Sequence, residues 1–150
     1  MFNKLFGKKE KKVVILGIDG VPYTLLCTYM ERGTMPKLSR LCSSGGRLCR
    51  MKSTLPEISS VAWSSFITGK NPAEHGIFGF MEIDRQSYDY TFPNFTSLKE
   101  MTFWEKEKFK SVVMNIPQTY PARPINGVMV SGFVAIDLKK AVYPERVYEY

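Results

Sequence analysis

The sequence predicts an α/β fold in which helices flank a mainly parallel sheet, and two features of the chain favour it. Three continuous apolar runs rich in β-branched residues lie at residues 12–18, 111–117 and 127–133. Strands buried on both faces of a parallel sheet have this composition. Capped or amphipathic helical segments lie between the runs, and the order strand, helix, strand indicates a crossover unit. With 150 residues, of which 44% are hydrophobic, the chain is long enough for one domain with its own core.

The first half of the chain predicts strands and short helices in alternation. The run KVVILGI at residues 12–18 predicts a first buried strand that ends at Asp19. Pro22 is tolerated in the first turn of the helix that follows, and Gly33 favours its end. The remaining elements of this half are a helix at residues 36–46, a strand at residues 47–54 and a helix from about Ser60 to Thr68 that Gly69 ends.

The second half predicts an aromatic insertion, one helix and two strands. Residues 77–95 are aromatic and irregular, which indicates a hairpin or an insertion. Ser97 and Glu100 have the spacing of a capping box, and the pattern over residues 98–110 predicts an amphipathic helix after it. The apolar runs at residues 111–117 and 127–133 then predict the second and third buried strands.

The net charge of +7 is concentrated at the start of the chain, where the first twelve residues contribute +4. We therefore expect a disordered basic tail at residues 1–11 and a single domain at residues 12–150. A weak contact of this tail with an anionic membrane surface or with nucleic acid is the alternative. Nothing else in the sequence indicates nucleic-acid recognition, so no nucleic-acid partner is expected.

The compartment is predicted from apolar segments and cysteines. No apolar run approaches the ~20 residues of a membrane span, and the start of the chain lacks a signal-peptide pattern. We therefore expect a cytoplasmic protein. Cys27, Cys42 and Cys49 lack the spacing of a metal site and are predicted to be reduced thiols.

Two side chains are candidates for chemistry because of where the predicted elements place them. Asp19 follows the first predicted strand, at the sheet edge where open α/β folds bind ligands, and it either caps a helix or binds a metal ion. Ser59 stands at a predicted helix start, as an N-cap or as a nucleophile facing free backbone N–H groups. A free Ser hydroxyl needs activation, and a metal ion can provide it where no His serves as a base.

Three stretches carry a resemblance to a known family. The segments VVILGIDG, MPKLSRLCSSGG and LPEISSVAWSSFITGKNPAEHGIFGF resemble the opening of the alkaline phosphatase superfamily. The branch that they resemble is the type I phosphodiesterase/nucleotide pyrophosphatase group, with its phosphohydrolase and phosphomutase relatives. The resemblance implies an alkaline-phosphatase-like fold of which this chain is the N-terminal part.

The resemblance also implies site residues, a cofactor and a substrate class. Asp19 matches the family's first metal-binding Asp, and Ser59 matches the residue that attacks phosphorus and also ligates a metal. Ser60 stays an alternative nucleophile. The implied cofactor is two divalent metal ions, zinc first with manganese or magnesium as alternatives, and the implied substrate is a small phosphate ester. His75 lies in the HGI motif, outside the family's metal ligands, so we expect it to make a structural hydrogen bond.

The chain departs from the family pattern in two places. Nucleotide pyrophosphatases place Thr at the Ser59 position, and they carry an Asn a few residues after HGI where this chain has Phe78, Gly79 and Phe80. The resemblance therefore does not carry nucleotide specificity. The chain also has a single His, whereas the family's remaining metal ligands come from further along a longer domain. We therefore expect an incomplete fragment that is inactive alone.

Other functions stay open. A non-catalytic α/β remnant that binds a phosphate ligand or a partner fits the same sequence, and a phosphomutase would keep the fold while changing the reaction. A sulfatase is disfavoured because its C/S-x-P-x-R pattern has no counterpart in SSVAW at residues 59–63. The sequence predicts no particular oligomeric state.

Overall fold

The computed structural model describes residues 12–107 and 109–149, which divide into two compact units between Arg50 and Met51. The predicted basic tail at residues 1–11 lies outside the described residues. Each unit is described by itself below. All three cysteines are free thiols, as predicted. Among the described residues, no helix is both long and apolar enough to cross a membrane.

The first unit contains two of the predicted helices, α1 at Tyr23–Glu31 and α2 at Pro36–Ser43. Pro36 occupies the first turn of α2, where its missing N–H leaves no helical hydrogen bond unmade. After α1 the chain turns at Gly33, whose φ of +71° falls in the left-handed region that glycine adopts without strain. The helix signals of Pro36 and Gly33 are therefore confirmed, whereas Pro22 is the N-cap of α1 and does not belong to its first turn.

The predicted first strand is wrong. Residues 12–18 form no strand, and their side chains are exposed, with Val13 80%, Val14 91% and Leu16 85% accessible. The predicted strand at residues 47–54 is also absent. A strand exists only when a neighbouring strand accepts its backbone hydrogen bonds, and no described residue of the first unit belongs to a strand. An apolar β-branched run reports a preference for burial and does not specify that partner.

The second unit begins with two helices, α3 at Ser59–Thr68 and α4 at Pro72–His75. Helix α3 confirms the predicted helix and ends at Gly69, whose φ is +67°. Its buried residues recur at helical spacing and so form one inward face. These residues are Ser60, Val61, Ser64, Ile67 and Thr68.

The aromatic segment after α4 forms the predicted hairpin. Strands β1 at Glu82–Ile83 and β2 at Tyr90–Thr91 pair antiparallel. Between them, the Asp84 carboxylate accepts hydrogen bonds from the N–H groups of Gln86 and Ser87, at 2.7 and 2.9 Å. These bonds stabilise the charged carboxylate and lower the pKa of Asp84, with the bond from the Ser87 N–H having the larger effect. They also close the turn.

The predicted helix over residues 98–110 is wrong in its start and length. Ser97 ends a 3₁₀ turn at Phe95–Ser97, and the helix there, α5, covers only Phe103–Lys106. The capping box that starts α5 joins Thr102 and Glu105. The Thr102 N–H and hydroxyl both donate to the Glu105 carboxylate at 2.7 Å. Thr102 and Glu105 form the capping box in place of Ser97 and Glu100, so the helix begins five residues later than predicted.

The strands that follow make a mixed sheet of three. Strand β3 at Ser111–Ile116 pairs parallel with β4 at Gly127–Ser131, and β4 pairs antiparallel with β5 at Val142–Tyr143. The two longer strands were predicted, although β3 buries one face only and exposes Val112 and Met114. Two 3₁₀ turns, Lys139–Ala141 and Glu145–Glu149, complete the unit. One parallel pair beside two antiparallel pairs is an α/β arrangement of small sheets, and a mainly parallel sheet is not confirmed.

The connection from β3 to β4 crosses over without a helix. Residues 117–126 contain none, and Thr119 holds the connection instead. The buried Thr119 hydroxyl donates to the Ile116 carbonyl at 2.6 Å and accepts from the Gly132 N–H at 3.1 Å. The Ser131 hydroxyl donates to the Thr119 carbonyl at 2.8 Å. The hydroxyl and the carbonyl of the buried Thr119 are thereby satisfied.

The core lies in the second unit and joins α3 to the sheet. Its residues come from α3, α5, β3, β4, the 3₁₀ turn at Phe95–Ser97 and the loops beside them, so burial of this cluster holds α3 against the sheet. The buried apolar residues are Ile67, Ile77, Phe95, Leu98, Trp104, Val113 and Met129.

Candidate active site

Ser59 is the first residue of α3 and is half-buried. The N-cap position belongs to Ile58, whose side chain makes no capping bond, so the alternative interpretation of Ser59 as an N-cap is wrong. The first backbone bond at this end runs from the Ala62 N–H to the Ile58 carbonyl, at 2.9 Å. The N–H groups of Ser59, Ser60 and Val61 therefore precede the helical ladder, at the positive end of the helix dipole. Such groups are suited to bind an anion.

Ser60 and Ser64 lie one turn apart on the inward face of α3, and both are fully buried. Neither hydroxyl has a hydrogen-bond partner within the described part of the chain. Leaving such a group unpaired costs about 1–3 kcal/mol. Because a nucleophile has to reach its substrate, the exposure of Ser59 suits that role better than the burial of Ser60.

His75 is the single His of the chain and is fully buried at the end of α4. The Ile77 N–H donates to its Nδ1 at 3.1 Å, and its Nε2 lies 2.9 Å from the Ser65 hydroxyl in α3. A backbone N–H can only donate, so Nδ1 carries no proton. The neutral ring therefore has its proton on Nε2 and donates it to Ser65.

This tautomer means that His75 cannot act as a base toward Ser65. In a Ser–His pair built for catalysis, the ring nitrogen facing the hydroxyl has to be free to accept its proton. Here that nitrogen is the protonated one. Burial lowers the pKa of His75, more than the nearby Glu74 carboxylate raises it, so the ring stays neutral at neutral pH. The predicted structural hydrogen bond of His75 is confirmed.

The turn before His75 is closed by charged and polar side chains. The Asn71 side chain accepts from the Glu74 N–H at 3.2 Å, and the Glu74 carboxylate accepts from the Asn71 N–H at 3.3 Å. The Lys70 ammonium donates to the same carboxylate at 2.6 Å, which lowers the pKa of Glu74 and raises that of Lys70. This capping box fixes the short helix that carries His75.

Asp19 lies in an exposed turn with Gly20 in the first unit. The irregular residues 12–18 precede it, so Asp19 does not stand at the end of a strand. Ser59 belongs to the second unit. A metal ion shared by Asp19 and Ser59, as the family resemblance implies, would require the two side chains to lie close together, and this proximity stays a prediction.

The described residues do not supply the ligands of a divalent metal site. Among residues 12–107 and 109–149, no group of three or more His, Cys, Asp or Glu side chains could hold a metal ion. Zinc sites take three or four protein ligands, and both ring nitrogens of His75 are already engaged. These residues do not by themselves fit a metal centre.

Three contributors to this region, Ser65, Asn71 and Glu74, were not found from the sequence. Ser65 stands ten residues before His75, a separation that matches no local motif, so only the folded chain reveals the pair. Asn71 and Glu74 do carry a signal, because an Asx residue followed three positions later by Glu is the pattern of a helix start.

Comparison with known proteins identifies the family. The comparisons with curated proteins and with solved structures found no match. The family model described as type I phosphodiesterase / nucleotide pyrophosphatase matches residues 13–148. This match covers Asp19, all of α3 and the HGI motif. The chain therefore belongs to the type I phosphodiesterase/nucleotide pyrophosphatase family of the alkaline phosphatase superfamily.

Proposed function

We propose that this chain carries the nucleophile of a metal-dependent phosphohydrolase of the phosphodiesterase/nucleotide pyrophosphatase type, with Ser59 as that nucleophile. The observation that carries the proposal is the start of α3, where a half-buried hydroxyl stands beside backbone N–H groups and no side chain caps the helix. Family membership supports a phosphoric ester as the substrate class.

The proposed reaction uses Ser59 and the first turn of α3. The phosphoryl oxygens of the ester bind the N–H groups of the first turn, which also stabilise the negative charge of the transition state. The Ser59 hydroxyl gives up its proton and its oxygen bonds to phosphorus while the bond from phosphorus to the ester oxygen breaks, and the alkoxide that leaves takes up that proton. Water then hydrolyses the phosphoseryl residue and restores the hydroxyl.

Metal dependence is proposed with only part of the ligand set in this chain. Asp19 and Ser59 are its candidate ligands, and His75 is not one because its nitrogens bond Ser65 and Ile77. We infer that the remaining ligands belong to protein outside these 150 residues. Zinc is the first candidate, with manganese or magnesium as alternatives, and cytoplasmic localisation stays part of the proposal.

A non-catalytic remnant that binds a phosphate ligand is the second candidate, favoured by the absence of a metal-binding group among the described residues. A phosphomutase would use the same nucleophile and pass the phosphoryl group to another hydroxyl in place of water. The two enzymes form a phosphoseryl residue and the remnant does not, so phosphorylation of Ser59 separates the enzymes from the remnant, and transfer to another hydroxyl in place of water separates the phosphomutase from the hydrolase.

The test compares Ser59→Ala with Ser60→Ala in a longer form of the protein that supplies the remaining ligands. Hydrolysis of bis(p-nitrophenyl) phosphate with zinc, manganese or magnesium should fall by about 10³-fold or more in Ser59→Ala. Metal binding should persist in part through Asp19. Wild-type turnover in Ser59→Ala together with loss in Ser60→Ala would move the nucleophile to Ser60.

The same assay on residues 1–150 tests whether the site is incomplete. We expect no metal-dependent turnover, because two ligands hold an ion too weakly to fix a nucleophile against phosphorus. Robust hydrolysis that disappears in Asp19→Ala would show that the 150 residues are a complete enzyme.

A further inference from the structure

A side-chain bridge joins the middle of α3 to the HGI turn. The His75 ring donates from Nε2 to the Ser65 hydroxyl, and it accepts the Ile77 N–H at Nδ1. The other side of the turn is also held, because the Lys99 N–H donates to the His75 carbonyl at 3.0 Å. The buried ring thus connects α3 to the HGI turn, and the backbone hydrogen bond from Lys99 holds the other side of that turn.

We propose that His75 is a positioning residue for Ser59. The hydrogen bond from the His75 ring to Ser65, which we call the brace, holds α3 only while the ring is neutral with its proton on Nε2. Protonation at Nδ1 breaks the brace. The proposal rests on the proposed function in one respect only, the role of Ser59 as nucleophile. Neither the bridge nor its dependence on the tautomer requires that role.

Protonation breaks the bridge for a geometric reason. A proton on Nδ1 would face the Ile77 N–H, which can only donate, so two donors would oppose each other at a 3.1 Å separation. The ring would have to turn, and Ser65 would lose its partner. Ser65 lies six positions after Ser59, about 9 Å along a helix that rises about 1.5 Å per residue. A helix this short moves as a unit, so a shift at Ser65 reaches the first turn.

The charges around His75 come from three segments. Glu74 precedes it in α4 and is held by Lys70 at 2.6 Å. Lys99 covers the turn, with its side-chain carbons 2.8–3.1 Å from the position of a Cβ on Gly76. Lys106 of α5 reaches the end of α3 and donates to the Thr68 carbonyl at 3.1 Å. From α3 itself, the neutral Ser65 faces the ring. Glu74 favours a positive ring and is itself paired with Lys70, and Lys106 lies 3.9 Å from Glu100.

The test uses nuclear magnetic resonance on the ¹⁵N-labelled chain of 150 residues, in which a single His gives one set of ring signals. Long-range ¹H–¹⁵N spectra should show the proton on Nε2. A titration from ~pH 8 to ~pH 5 should then move the ring signals and the Ser59 and Ser60 amide signals with the same midpoint. The shared midpoint is a readout that a merely structural contact at Ser65 would not produce.

Three variants distinguish the hydrogen bond between His75 and Ser65 from an unspecific effect of low pH. His75→Asn keeps an acceptor for the Ile77 N–H and loses the donor to Ser65, so the shared midpoint should disappear from Ser59 and Ser60. Ser65→Ala should leave the ring titrating while these amides stop following it. Ser64→Ala is the control, because this neighbouring hydroxyl is buried and bonds nothing described. It should behave as wild type.

Two results would overturn the proposal. One is a ring with its proton on Nδ1. The other is a Ser59 amide that does not follow the ring, or that titrates equally in His75→Asn. Should the variants fail to fold, the wild-type spectra alone decide. No phosphate ester is used, so a protein without phosphohydrolase activity would give the same spectra if the brace exists.

Discussion

The four serine hydroxyls of α3 differ in exposure and in hydrogen bonding, according to their position along the helix. Ser59 is half-buried at the helix start, Ser60 and Ser64 are buried and unpartnered, and Ser65 bonds His75. From the sequence these residues look alike. The turn of helix on which each stands decides whether its oxygen meets solvent, the core or the ring.

The pKa of His75 predicts how stability depends on pH. Burial lowers this pKa in the folded chain, whereas the unfolded chain regains the ordinary value of about 6.5. Below that value the unfolded state binds more protons than the folded state, so stability is complete above about pH 6.5 and falls as the pH drops through the folded pKa. Urea unfolding at ~pH 7.5 and ~pH 5 should show a larger loss in wild type than in His75→Asn. An equal loss in both would contradict a buried neutral ring.

At the scale of elements, the start of α5 gives a direct comparison between the sequence pattern and the fold. Glu105 accepts both hydrogen bonds of Thr102 and lies 3.7 Å from Arg123, whereas Glu100 forms only a 3.9 Å contact with Lys106. Hydrogen bonds to a charged group are worth about 1.5–3 kcal/mol. Glu105→Ala should therefore lower the free energy of unfolding by about 2 kcal/mol, and Glu100→Ala by under about 1 kcal/mol. Equal effects in urea unfolding would restore the predicted Ser97 helix start.

Helices with Pro and Gly signals were predictable, because those residues act through local backbone geometry. The hairpin and the strands β3 and β4 were also found. The run at residues 12–18 was not correctly placed, because a strand needs a partner and composition does not name one. Ser59 was predictable as a helix start because that signal is local. The role of Ser65 was not predictable, because its contact with His75 forms only in the folded chain.

At the scale of the whole molecule, exposed apolar surface is extensive. The hairpin exposes a set of large side chains that we call the hairpin patch, Phe80, Met81, Ile83, Tyr88, Tyr90 and Phe92. Exposed apolar surfaces of this kind favour association. Met51 is an exposed apolar residue that lies outside the hairpin.

We expect residues 1–150 to self-associate as concentration rises. Sedimentation velocity should show larger species, and Tyr90→Lys should reduce them by adding a charge to the hairpin patch. Met51→Lys adds the same charge elsewhere and should have little effect. A chain that stays monomeric over a wide concentration range, or an equal response to both variants, would contradict a role for the hairpin patch.

The most direct test of the central proposal, that Asp19 and Ser59 belong to one phosphate site, is paramagnetic broadening by Mn²⁺ in the ¹⁵N-labelled chain with inorganic phosphate present. The proposal predicts that the amide signals of Asp19, Gly20, Ser59 and Ser60 broaden together at the lowest Mn²⁺ concentrations, and that Asp19→Ala removes the effect at Ser59. Broadening at Asp19 that leaves Ser59 unaffected, or broadening at Ser59 that survives Asp19→Ala, would contradict it.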